Sequence, residues 1–167
     1  VSYTTILDEP PRGICGSGII DAAAAMVSAG ILDFTGKLVD TKPGVRHGDN
    51  GLEFVLVSRD KTGTGRDICI TSQDMIYLMD SKAAVCGAVG VLLKKYRVAV
   101  GDVRRVFLAG AFGAFSDMKN IVAFGIIPDF PNAHYQGIGN GSLAGAMACL
   151  LSQDMRKKAR DTSRQMV

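Results

Sequence analysis

Three glycine-bearing stretches are the residues of this sequence best suited to chemistry. Arg105-Val106-Phe107-Leu108-Ala109-Gly110-Ala111-Phe112-Gly113 joins an apolar run of strand length to a glycine break. Such a run reads as a buried central strand whose carboxyl end opens a loop, and in open α/β sheets that edge takes small ligands. Gly110 and Gly113 let the backbone turn sharply or approach a ligand closely, with Phe112 and Phe115 as aromatic faces beside the opening. A tight turn carrying two core phenylalanines fits the same residues. Gly13-Ile14-Cys15-Gly16-Ser17-Gly18 runs directly into Ile19-Ile20-Asp21 and four alanines. Alanine favours helix, so this loop feeds a helix amino terminus whose free N–H groups and dipole favour an anion. The third stretch, Gly137-Ile138-Gly139-Asn140-Gly141, precedes a helix faced with Ala, Gly and Ser, which suits very close packing on a neighbour.

Other chemistries find little support. His47 and His134 lie in polar loop sequence without an acid–nucleophile pattern. Gly16-Ser17-Gly18 is not the G-x-S-x-G elbow of hydrolases. Thr62-Gly63-Thr64-Gly65 has neither the following helix nor the G-K-[ST] ending of a phosphate loop and reads as a turn. Asp21, one turn after the glycines, suits a first-turn helix acid as well as a site residue. Cys15, Cys69, Cys86 and Cys149 are widely separated, so no metal or iron–sulfur framework is indicated, and each reads as a small buried hydrophobe in a reducing cytoplasm.

The elements that must position these stretches come from a chain of 167 residues, 47% hydrophobic and 21% charged, enough for one globular domain. Residues 154–167 hold Arg156, Lys157, Lys158, Arg160 and Arg164 against Asp154 and Asp161, and so account for the whole net charge of +3. This basic tail reads as a solvated helix end, with no nucleic-acid face. No uninterrupted apolar run reaches the ~18 residues of a membrane span, and no signal peptide is visible. The start, Val1-Ser2-Tyr3, is expected to be the cut end of a longer protein.

In chain order, residues 1–12 form an extended leader broken by Pro10-Pro11. Helices are expected near 17–30, 71–97, 116–124 and 140–156, and a hairpin with a mobile tip at 60–65 over 52–70. Thr71-Ser72-Gln73-Asp74 resembles a capping box. In the long helix behind it, residues 75, 79, 86, 89 and 93 make an apolar face, with Lys82 near its middle. That ammonium either snorkels to water or reaches a polar ligand pocket. Val106–Leu108 is expected at the centre of one mixed sheet.

Cys15-Gly16-Ser17-Gly18-Ile19-Ile20-Asp21, Leu108–Gly113 and Ile138-Gly139-Asn140-Gly141-Ser142-Leu143-Ala144-Gly145-Ala146, in that order, resemble the carboxy-terminal ATPase region of the reductive activators of corrinoid proteins. The resemblance covers roughly residues 13–152, between the leader and the tail at 153–167, in one domain. It implies an α/β fold of the ribonuclease H-like, actin-like ATPase (ASKHA) type shared with acetate and sugar kinases, heat-shock chaperones and actin: a mixed sheet flanked by helices, the second lobe of a two-lobed ATPase. It also implies a role, ATP-dependent return of an inactive Co(II) corrinoid protein to Co(I), with ATP or ADP and Mg2+ in the cleft. The iron–sulfur cluster would lie in a ferredoxin-type part of the polypeptide outside this chain. Carried over by motif, Gly110, Ala111, Phe112 and Gly113 approach adenosine, and Gly16, Ser17 and Gly18 supply a phosphate or ribose contact. Lys82 is placed toward the nucleoside by helix order alone. The chain departs from the family in lacking the Asp-x-Gly-Thr phosphate loop and any cysteine cluster, so its expected partners are the remaining ATPase lobe, the ferredoxin-type domain and the corrinoid protein, with a homodimer left open. A lobe of a sugar or carboxylate kinase, or a non-catalytic interaction domain of the same fold, are the alternatives.

Overall fold

A computed structural model describes residues 2–110 and 117–166. After an extended leader with one turn of 3-10 helix at Ile6–Asp8, the chain forms α1 (Gly16–Ser28), β1 (Val45–Gly48), β2 (Gly51–Val57), β3 (Ile68–Thr71) and α2 (Ser72–Tyr96). Then come β4 (Arg105–Ala109), α3 (Met118–Phe124), β5 (His134–Gly139), α4 (Gly141–Leu151) and α5 (Gln153–Gln165). The expected α/β architecture, with mixed strand pairing and flanking helices, is present.

Local chemistry explains most boundaries. The Thr71 hydroxyl accepts from Asp74 N at 3.1 Å and the Asp74 carboxylate accepts from Thr71 N at 2.9 Å, the reciprocal pair of a capping box. Along α2 the expected face at 75, 79, 86, 89 and 93 is the less exposed one, with Met75 fully buried. The Asp117 carboxylate caps α3 by accepting from Lys119 N at 2.8 Å. Gly125, at φ +80°, ends α3 in the left-handed conformation that a side chain disfavours. The helix expected over 140–156 is two helices. Ser152 is extended at φ −140° and closes α4 while its hydroxyl accepts from Met155 N at 3.3 Å to start α5. Serine bonds to its own backbone neighbours more readily than it continues a helix.

Strand pairing departs from the single sheet expected. β1, β2 and β3 form an antiparallel sheet, with Val45 opposite Phe54 and Phe54 opposite Ile70, so the 52–70 hairpin is as read. Its tip is laced by Arg59 N donating to Asp67 (2.7 Å) and the Thr62 hydroxyl donating to the Arg66 carbonyl (2.8 Å). β4 and β5 form a separate parallel pair, with Val106 opposite Tyr135. Val106–Leu108 is therefore not a central strand among the described residues. Val106 and Leu108 pack inward while Phe107 is 52% exposed. Three apolar residues look alike whether one face or both are buried, and here the period is two.

α1 joins the two halves of the core. Ala23, Ala24 and Met26 pack with Phe54, Ile70, Met75 and Phe124. Ile20 packs with Ile121 and Ile127, against Val106 and Leu108. Elsewhere apolar surface is open: Ile76, Tyr77, Val91 and Leu92 on α2 are more than half exposed. The small-residue helix α4 was expected to pack very closely, yet residues 142–147 are exposed. α2 is also long and apolar enough to cross a membrane by length and composition, with a mean hydropathy of 1.6 over its most apolar window. Interspersed polar residues break the apolar run of α2 without lowering its mean hydropathy much.

Two outcomes follow from this packing. Ile20→Ala removes a buried side chain from the junction and should destabilise the chain by roughly 2–5 kcal/mol in chemical denaturation; a loss below ~1 kcal/mol would show that α1 is not seated there. On the sheet surface, Arg46 bridges Glu53 at 2.7 Å and Asp67 at 2.8 Å. The Arg46 hydrogen bond, helped by Arg59 N–H, holds the Asp67 carboxyl below its ordinary value. Its contribution is thus present above the unfolded carboxylate pKa of about 3.9 and is lost as pH falls through the lower folded value. Thermal unfolding should show Asp67→Asn below wild type at about pH 7, with the gap closing toward about pH 2. A gap that widens on acidification would contradict this.

Candidate functional site

Two of the glycine stretches meet where the parallel strands end. β4 and β5 run side by side, so both carboxyl ends open on one edge. There Gly110 N donates to the Gly139 carbonyl at 2.6 Å. Gly110 has φ +88°, and a Cβ built on it meets nothing within 4 Å. The glycine is thus required by backbone conformation, while the space beside it is open. An alanine there is strained regardless of any ligand, so Gly110→Ala would confuse folding with binding. Asn140 caps α4 by accepting from Leu143 N at 3.0 Å, and a Cβ on Gly141 would lie 3.5 Å from that of Ala109. The α4 amino terminus therefore sits directly on the end of β4.

The first turn of α1 belongs to the same neighbourhood. Ile19 and Ile20 share one apolar cluster with Leu108 near the end of β4 and Met118 at the start of α3. Asn120 donates to the Asp21 carboxylate at 2.8 Å, tying α3 to α1 one turn beyond Gly16-Ser17-Gly18. Asp21 is a partly buried hydrogen-bond acceptor, and its partner lies 99 residues away, beyond the reach of any local pattern. Cys15 is the exposed amino-terminal cap of α1, and Gly18 N donates to its sulfur. The Ser17 hydroxyl, 3.2 Å from the sulfur, and then the Gly18 N–H hold the thiol below its ordinary range. Burial instead pushes the Cys69 thiol up. Cys15 was read as a buried hydrophobe; its place at a helix start, where caps stand, was the missed signal.

Lys82 takes a different direction. Its ammonium donates to the Phe124 carbonyl at 2.8 Å and lies 5.1 Å from the Phe124 ring centroid. It neither snorkels freely nor aims at the glycine edge; it closes the end of α3. Ala111, Phe112 and Gly113, the rest of the proposed adenosine stretch, lie outside the described residues. A cavity of about 1020 Å³ lies elsewhere, between the leader, α1 and β2, with Cys15 and Gly18 among its lining and Gly110 absent from it. The α1 amino terminus thus lines this hollow. Among the described residues no group of three His, Cys, Asp or Glu side chains could hold a metal ion.

Helix amino termini and glycine-opened strand ends are the kind of backbone surface on which small ligands bind in α/β folds. A family model described as the C-terminal domain of RACo, the ASKHA domain, matches residues 1–167. The corrinoid activation enzyme RamQ of Eubacterium limosum is 31% identical over 164 residues, covering 92% of this chain and 28% of that protein. The solved structure of a reductive activator for corrinoid, iron-sulfur protein matches with a TM-score of 0.88 and 37% identity, over 98% of this chain and 26% of that one. The chain thus spans about a quarter of the length of these relatives. Matched along its whole length, it belongs to the family of the C-terminal ASKHA domain of RACo.

Proposed function

We propose that this chain is the nucleotide-binding lobe of an ATP-dependent reductive activator that helps return a Co(II) corrinoid protein to Co(I). The observation that carries the reading is the meeting of Gly110 with Gly139–Gly141 at the carboxyl end of a parallel strand pair, with Ile19 and Ile20 of the first turns of α1 in the apolar cluster that also holds Leu108. Adenosine lies against Gly110 and the stretch that continues through Ala111, Phe112 and Gly113. The first turn of α1, with Gly16, Ser17 and Gly18, meets ribose or phosphate. Mg2+ would arrive with the nucleotide, neutralising charge on its phosphates. The four free cysteines do not fit an iron–sulfur cluster, so the electron is supplied from another part of a longer polypeptide.

ATPase activity belongs to that longer polypeptide, in which a second lobe closes on this one. Closure changes the corrinoid partner only through contacts that differ between the open and closed forms. The exposed apolar residues of α2 and α4 are of the kind that another protein layer covers, which supports a missing neighbour. Setting for the protein is the cytoplasm, where its thiols stay reduced.

Cys15 reports on the site directly. In the full-length protein, alkylation of Cys15 by iodoacetamide, followed by mass spectrometry of its peptide, should slow by roughly tenfold with ATP at ten times its Kd. An unchanged rate, with ATP binding verified in the same sample, would place the nucleotide away from the α1 amino terminus.

A further inference from the structure

We infer that Lys82 is a positioning residue for the nucleotide edge, acting through α3 rather than on the ligand; the inference rests on the nucleotide reading above. α3 has only seven residues, too few to hold helical shape without outside ties. Its last carbonyls are among those a helix leaves unsatisfied. Lys82 supplies a charged donor to one of them, Phe124, at 2.8 Å. One turn further along α2, the Cys86 thiol donates to the Gly125 carbonyl at 3.3 Å. Contact is close, because a Cβ on Gly125 would come within 3.2 Å of the Lys82 ammonium. Two side chains spaced i, i+4 on one long helix therefore seat the carboxyl end of α3.

The middle and start of α3 carry that seating to the site. Asn120 holds Asp21 on α1, and Met118 shares the apolar cluster of Ile19 and Leu108. Seven residues rise about 10 Å, so Lys82 binds the end of α3 opposite Met118, next to Ile126 and Ile127 of the same apolar cluster. Phe124 is buried in the main core, which makes the seat rigid. Loosening it lets α3 tilt, and the Asp21–Asn120 tie passes the tilt to the turn that carries Gly16, Ser17 and Gly18. A direct ligand contact needs the ammonium to leave its carbonyl; a positioning role needs it to stay.

Binding of ATP and of adenosine to the full-length protein, by titration calorimetry beside thermal unfolding, separates the two. Lys82→Met keeps most of the stem and removes the donor. It should weaken both ligands by the same factor, about three- to tenfold, and Lys82→Arg should recover most of the loss. Cys86→Ala, a milder change at the same seat that no direct contact by Lys82 would feel, should weaken both ligands equally and by less; unchanged affinity there beside a loss of both ligands in Lys82→Met would overturn the inference in favour of a nucleoside contact. Loss of ATP affinity with adenosine unchanged would overturn the inference in favour of a phosphate contact. Unchanged affinity for both ligands, with only a lower Tm, would reduce Lys82 to a structural tie. If the wild-type protein binds neither ligand, the nucleotide reading itself falls, a failure visible before any substitution is made.

Discussion

The packing of α1 against α3 and the two sheets is the constraint on which the rest of this chain depends. A helix that places Ala23 and Ala24 against its neighbours lets backbones approach closely, so the antiparallel sheet and the parallel pair can share one buried element. Ile20 faces one cluster and Met26 the other, two side chains on a single rigid rod. Between them Asp21 ties the rotation of α1 to α3, because its carboxylate accepts from Asn120 at 2.8 Å. A partly buried carboxylate is costly without that bond, which makes the pairing specific as well as cohesive. The first turns of α1 are thereby fixed, through Ile19 and Ile20, in the same apolar cluster as Leu108 of β4.

The same arrangement leaves one side of the molecule open. β4 has one hydrogen-bonded neighbour among the described residues, and the outward faces of α2 and α4 expose large apolar side chains. Scattered exposed leucines and valines are ordinary on protein surfaces, but a 25-residue helix with one buried residue is less so. Its first turn is held by the capping box and its middle by the seat on α3. The remaining length has apolar surface to offer. This fits a chain that spans about a quarter of its relatives, in a family whose members act within larger polypeptides.

Features written in contiguous residues were legible in the sequence. The Thr71–Asp74 box, the hairpin around Ser58–Arg66, the helix after Gly18 and the stop at Gly125 are each encoded within a few positions. Strand order was not, because Val106-Phe107-Leu108 is too short to reveal how many faces are covered. The Ser152 break was hidden by good helix formers on both sides of one capping residue. Lys82 was correctly singled out as an anomaly on an apolar face, but its partner lies 42 residues away and is a backbone carbonyl, which no side-chain pattern announces. Asn120 gave no signal because its partner, the Asp21 carboxylate, lies 99 residues away. Motif order, by contrast, carried the family, since three weak glycine patterns at suitable spacing are jointly far more specific than any one.

On the proposed reading, nucleotide binds at the carboxyl ends of β4 and β5 and reaches the α1 amino terminus. Amide hydrogen exchange of the full-length protein, with and without saturating ADP, reads this location by peptide. The account predicts added protection in peptides covering residues 13–22 and 105–110 together, and none in the hairpin tip at 58–66. Protection confined to the leader and to residues 52–57, which line the hollow on the other side of α1, would contradict it.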